Sequence, residues 1–209
     1  GSHDSSRKIK VQTGWKEETK GIVWTQIVSD KIRKQSEHLR ELDSFSEADM
    51  LLAYVNEMEY RDTSNREGHA AKVYFNKLFG IQFSRNKACA TNAALDYGYS
   101  LLLSSFNKEI VANGYLTQCG LFHDNIYNPY NLSCDLMEPF RVIVDRKVKK
   151  EGFQNFETEE KHEMLCILQE EVMIAGTRQY VSNAIKIYTK SVLDALSKDD
   201  IERLMFYEL

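Results

Sequence analysis

Only two prolines, Pro129 and Pro139, interrupt the 209 residues of this chain. A many-turned β fold uses proline freely, so this scarcity argues against a sandwich or barrel and for long helices. Cysteine is sparse too. Cys89, Cys119, Cys134 and Cys166 are scattered with no CxxC pair, which argues against a zinc site or a disulfide framework and for reduced thiols in a cytosol. No apolar run approaches the roughly 20 residues that a membrane span needs, and no secretory leader opens the sequence. Positive charge is not in excess. The formal net charge is −4, which does not mark a nucleic-acid binder, although a net figure can hide a local basic face.

What is present is an ordinary soluble composition, 43% hydrophobic and 28% charged, long enough to bury a core. The initial Gly-Ser reads as the scar of a tag, residues 1–13 as tag scar and linker, and 14–209 as one domain. Trp24, Ile27, Val28, Ile32 and Leu39 recur at helical spacing and predict a long helix over 14–42. Ser46 with Asp49 opens a second helix, and Ser64 with Glu67 a third that ends at Gly80. A fourth runs from about Thr91 to the stop at Asn113-Gly114. A short helix is expected between Tyr115 and His123, then one from near Leu132 towards Lys150, kinked at Pro139. Thr158 opens a further helix, 172–181 reads as a small hairpin about Ala175-Gly176, and Ser182 caps the last helix. The expected fold is all-α, a single domain of about seven to nine helices with one small hairpin.

The stretch from Gly120 to Arg141 mixes polar and core residues: GLFHDNIYNPYNLSCDLMEPFR. Polar groups beside Leu, Met and Phe must be paired or bound to something if they go inside. Asp135 and Glu138 stand three apart, so on a helix they share a face and repel unless a cation lies between them. His123 lies among Asp124, Asn125, Tyr127 and Asn128. Glu67 is a third acid, upstream. Each has a plainer reading: a wet helical face for the acids, an exposed loop for His123, and a Ser64–Glu67 capping box for Glu67. Together they form a carboxylate and imidazole set suited to Mg²⁺ or Mn²⁺.

RDTSNREGHAAKVYFNKLFG, NAALDYGYSLLLSSFNKEIVANGYLTQCGLFHDN and NLSCDLMEPFR resemble the CRISPR-associated integrases that acquire new spacers, and most of all their type II-A subgroup. The similarity extends over essentially the whole chain. It implies a helical catalytic domain with a Glu, His and acid triad around a divalent metal, mapping by motif onto Glu67, His123 and Glu138, with Asp135 as an auxiliary ligand or supporting group. Many relatives carry Asp at the third place, so Glu138 is a subgroup trait. The resemblance further implies double-stranded and branched DNA as substrate, a homodimer in the full-length protein, a small CRISPR adaptation partner protein and a bacterial cytoplasm. Full-length members begin with a β-rich domain, which this chain is expected to lack. Arg66, Lys72 and Arg141 are the basic candidates for phosphate, with Arg85 and Lys87 nearby and the Arg146, Lys147, Lys149 and Lys150 cluster a further one.

Three rival readings use other residues. An HD-type phosphohydrolase would need His123-Asp124 with His69 as the upstream histidine. A dinuclear iron bundle would need two ExxH motifs, and Glu159 to His162 supplies one. A non-catalytic module would only bind DNA or partners.

Overall fold

The computed structural model describes residues 2–209, with side chains from residue 4 onward. Its helices are α1 (Ser2–Thr13), α2 (Glu17–Glu41), α3 (Phe45–Asn56), α4 (Arg66–Phe79), α5 (Ala90–Ala112), α6 (Asn131–Leu136), α7 (Arg141–Glu151), α8 (Thr158–Leu165) and α9 (Val181–Lys198). The fold is mostly helical, as the sequence pattern implies.

Two long helices organise it. On α2, Val23, Ile27, Val28, Ile32 and Leu39 are fully buried, and each such side chain contributes about 1.5–3 kcal/mol by leaving water. Helices α3, α4, α7 and α9 all pack against α2. On α5, Leu95, Leu102, Phe106 and Ile110 form the second half of the core, against α6, α7, α8 and α9. Gly98 permits that packing: a Cβ there would lie 2.5 Å from Val144 Cγ1 and 2.7 Å from Met164 Cε.

The hairpin is present as β1 (Glu171–Ile174) and β2 (Thr177–Tyr180), antiparallel in the register Glu171 to Tyr180 and Ile174 to Thr177. Its two turn residues, Ala175 and Gly176, have φ of 51° and 71°, the pair of positive values that a tight hairpin turn requires. A third strand, β3 (Tyr207–Glu208), adds to the other side of β1.

Several local expectations are corrected. Residues 2–13 form α1 rather than a linker, docked by reciprocal bonds between the Gln12 amide and the Leu116 backbone at 2.9 and 2.8 Å. Gly1 lies outside the described residues. Pro139 breaks its helix rather than kinking it: α6 ends at Leu136, and a 3-10 turn, Glu138–Phe140, separates it from α7. No helix forms between Tyr115 and His123, because a buried carboxylate captures the backbone amides there. Helix α9 begins before Ser182, at Val181. Helix α8 opens at Thr158 as expected, with Glu157 as its N-cap in a capping box with Glu160.

Candidate active site

Several elements meet at one cleft of about 270 Å³. Helix α2 contributes Trp24, Lys31 and Gln35, spaced by seven and four residues and so on one face. The first turn of α4 contributes Glu67, the loop before α6 contributes Phe122 and His123, and the turn into α7 contributes Glu138 and Arg141.

The sequence pattern assigns Glu67 to a capping box with Ser64, and the structure does not form it. Ser64 Oγ is buried without a hydrogen-bond partner. Asp62 caps α4 instead, its carboxylate accepting from the backbone amides of Arg66 at 2.6 Å and Glu67 at 3.0 Å. This leaves the Glu67 side chain free to reach across to α2, where Lys31 Nζ donates to its Oε1 at 2.5 Å.

His123 is positioned by Asp135. That carboxylate is fully buried, and it accepts from the amides of Leu121 (2.6 Å), Phe122 (3.1 Å) and His123 (3.2 Å) while bonding His123 Nδ1 at 2.5 Å. Asn131 repeats the device one turn earlier, its amide donating to the carbonyls of Gln118 and Asn125. Asn131 and Asp135 therefore go inside because they hold the loop, while Asp124, Asn125 and Tyr127 of the same stretch stay exposed. Gly120 is required there, since a Cβ would collide with the His123 carbonyl oxygen. With every Asp135 contact directed at the loop, it acts as a support that orients the imidazole. The hydrogen bond to Asp135 raises the His123 pKa and leaves Nε2 as the ring nitrogen not engaged by that bond.

Glu138 opens the 3-10 turn and is 7% exposed. Lys31 Nζ donates to its Oε2 at 2.5 Å and Arg141 Nε to its Oε1 at 2.9 Å. Burial pushes its pKa up, but Arg141 and Lys31 outweigh burial and hold it at about 2. Burial likewise pushes Lys31 down, and Glu138 and Glu67 more than offset it. Arg141 lies 4.6 Å over the Tyr99 ring, whose hydroxyl donates to the buried Asp145. Burial pushes Asp145 up to about 6. The turn itself is clamped from the C-terminal strand, where the Tyr207 hydroxyl donates to the Pro139 carbonyl at 2.8 Å.

Glu67, His123, Glu138 and Arg141 thus line the same cleft, with Asp135 directly behind it. Among the described residues, no three acid, histidine or cysteine side chains gather at metal-ligand spacing. The donor chemistry nevertheless fits a hard divalent ion: a cation, the Lys31 ammonium, already sits between Glu67 and Glu138, and an imidazole held by a carboxylate faces the same space. The other basic candidates lie elsewhere. Arg66 pairs with Glu57 at 2.9 Å and does not line the cleft, and Lys72 is exposed along α4. Arg85 does line it, held by Asn92 and Asp96. Lys87 donates to the Gln82 carbonyl, and Arg146 is engaged by Glu41.

The rival dyads are not assembled in the cleft. Asp124 lines a separate depression with Asn125 and Tyr127, and His69 lies against Tyr54. Glu159 and His162 are exposed on α8. Sequence reasoning missed Lys31, Gln35, Tyr99 and Asp145 as cleft residues. For Lys31 the sequence offers only a charge on the helix face that carries Trp24 and Val28, and its partners Glu67 and Glu138 lie far away in sequence.

The chain is 37% identical over 146 residues to the CRISPR-associated endonuclease Cas1 of Neisseria meningitidis serogroup C (strain 8013), covering 70% of this chain and 48% of that protein. It therefore spans about half the length of that curated relative. Its fold superposes on a partial Cas6-RT-Cas1–Cas2 complex with a TM-score of 0.81 at 15% identity, covering 97% of this chain and 73% of that one. It also superposes on a casposase bound to integration product with a TM-score of 0.71 at 18% identity, covering 93% and 70%. Because the family described as CRISPR associated protein Cas1 matches residues 5–180, most of its length, the chain belongs to the Cas1 family.

Proposed function

We propose that this chain is the catalytic module of a spacer-acquiring DNA integrase and endonuclease, with Glu67, His123 and Glu138 as ligands of Mg²⁺ or Mn²⁺. The observation that carries this reading is the meeting of those three side chains with Arg141 on one cleft, in a chain of the Cas1 family. The name of the Neisseria relative supports an endonuclease, and the casposase bound to integration product supports an integrase on this fold. The relative solved with Cas2 supports a small adaptation partner. The homodimer and the type II-A assignment rest on the sequence resemblance, including Glu in place of Asp at position 138.

The reaction is a transesterification. A 3′-hydroxyl of the new DNA attacks a phosphodiester of the repeat, a P–O bond forms, and the bond to a different 3′-oxygen breaks. When bound, the divalent ion supplies positive charge to the phosphoryl oxygens and eases deprotonation of the attacking hydroxyl. The protein's share is positional. Arg141, fixed through Nε by Glu138 and from below by Tyr99, presents its remaining N–H groups to a phosphate oxygen. Asp135 fixes the imidazole so that only one ring nitrogen remains for the ion. The Trp24–Phe122 stack, centroids 4.6 Å apart, walls one side of the cleft.

The test is joining and cleavage of branched DNA in Mn²⁺ by the full-length protein with its partner present. Expected is strand transfer that needs the metal and disappears in His123→Ala, with the fold intact by circular dichroism. Unchanged strand transfer in that variant would remove His123 from the site. Asp124→Ala is expected to leave activity in place, whereas an HD-type enzyme would lose it.

A further inference from the structure

The oxygens assigned above to a metal are already occupied by a side chain. Lys31 Nζ lies 2.5 Å from Glu67 Oε1 and 2.5 Å from Glu138 Oε2, with its side chain only 8% exposed. An ammonium has three donors and no acceptor, so it satisfies two carboxylates well, but it cannot share their oxygens with a second cation at the same place. Two acids this close, with Glu138 buried and Glu67 half-buried, would be unfavourable without a counter-ion. The same helix face offers another seat. Gln35 is one turn further along α2, 1% exposed, and its Oε1 has no hydrogen-bond partner. Side chains on a helix lean towards its N-terminus, so Gln35 leans towards Lys31. The lysine stem is long and flexible enough to move its charge by one turn. When it moves, Glu138 keeps Arg141 on its other oxygen and stays in place.

We propose that Lys31 is a resident counter-ion that holds Glu67 and Glu138 together in the metal-free protein and swings to Gln35 Oε1 when a divalent ion loads. This accounts at once for a buried lysine between two acids and for an orphaned buried amide oxygen beside it. It rests on the metal reading of the site and adds that the protein carries its own competitor for the ion.

The test is Mn²⁺ binding to this 209-residue chain by titration calorimetry and electron paramagnetic resonance, without DNA or turnover. Lys31→Met is expected to tighten Mn²⁺ binding by at least about tenfold, the scale on which one neighbouring unit charge shifts a carboxylate's own proton affinity. Its metal-free melting temperature is expected to fall, because the acids lose a partner. Gln35→Leu is expected to weaken Mn²⁺ binding when Lys31 is present and to have no effect in the Lys31→Met background, a coupling that a double-mutant cycle isolates. Equal or weaker Mn²⁺ binding by Lys31→Met would overturn the proposal while leaving the metal reading standing. No Mn²⁺ binding by either protein would overturn the metal reading, and the proposal with it.

Discussion

Glu138 illustrates how the sign of a charge effect depends on neighbours that the sequence does not reveal. Two acids three residues apart repel in isolation, so removing one should relieve strain. In the structure Asp135 is tied into the loop before it, and Glu138 is clasped by Lys31 and Arg141. Removing Glu138 takes the carboxylate partner from Arg141 and leaves Lys31 with Glu67 alone. Glu138→Ala is therefore expected to destabilise the chain by roughly 3–5 kcal/mol, the usual range for breaking a buried ion pair from one side, and to abolish strand transfer. Urea denaturation reads the first effect. An unchanged midpoint would mean that Lys31 and Arg141 find other partners at no loss. Gly120 makes a separate residue-scale case. Gly120→Ala forces a Cβ onto the His123 carbonyl and is expected to lower stability by about 1–3 kcal/mol, as overpacking does, and to weaken any metal binding that depends on His123. Wild-type stability and metal binding in that variant would show that the loop relaxes freely.

At the scale of elements, α4 tests two accounts of its own start. If a Ser64 capping box opened the helix, Ser64→Ala would remove a cap. The structure gives that role to Asp62. Asp62→Ala is expected to cost about 0.5–2 kcal/mol, the usual value of an N-cap, and Ser64→Ala much less. The reverse order in thermal melts would restore the capping box and return Glu67 to a structural role. Helix starts are where the sequence reads poorly, and the reason is physical. A cap depends on backbone angles before the helix, here left-handed at Arg61, Asp62 and Asn65, and one-dimensional spacing does not specify them. The helices themselves were legible, because Ile27, Val28, Ile32 and Leu39 on α2, or Leu95, Leu102 and Phe106 on α5, bury at the period that their spacing announces. The hairpin was legible from Ala175-Gly176. Strand β3 was not, since two residues carry no periodicity. In the site, the motif residues Glu67, His123, Glu138 and Arg141 could be read from resemblance. Lys31, Gln35 and Asp145 could not, because their partners lie far away in sequence and only packing brings them to the cleft.

For the whole molecule, two buried groups set opposing responses to acid. Burial, with Arg146 and Lys149 close by, holds His38 down to about 4 from its ordinary 6.5. The fold thus favours the neutral ring, and the stability this supplies is complete above pH 6.5 and lost as pH falls towards 4. Asp145 runs the other way. Burial raises it from 3.8 to about 6, so the fold favours the neutral carboxyl, and stability is gained as pH falls from 6 towards 3.8. The two oppose each other across that window. Asp145→Asn removes the side that favours acid, so its melting temperature should fall more steeply between pH 6.5 and 4 than that of the unaltered chain. Parallel curves for the two proteins would show that these groups do not govern the response.

The claim on which the rest depends is that Glu67, His123 and Glu138 hold one divalent ion in a single cleft. Its most direct measurement is an anomalous difference map from crystals of this chain equilibrated with Mn²⁺. The expected result is one strong peak bounded by Glu67, Glu138 and His123 Nε2 at distances of roughly 2–2.3 Å, with the Lys31 ammonium displaced from between the acids. A peak on other residues, or none at a Mn²⁺ concentration that supports strand transfer by the full-length protein, would contradict it.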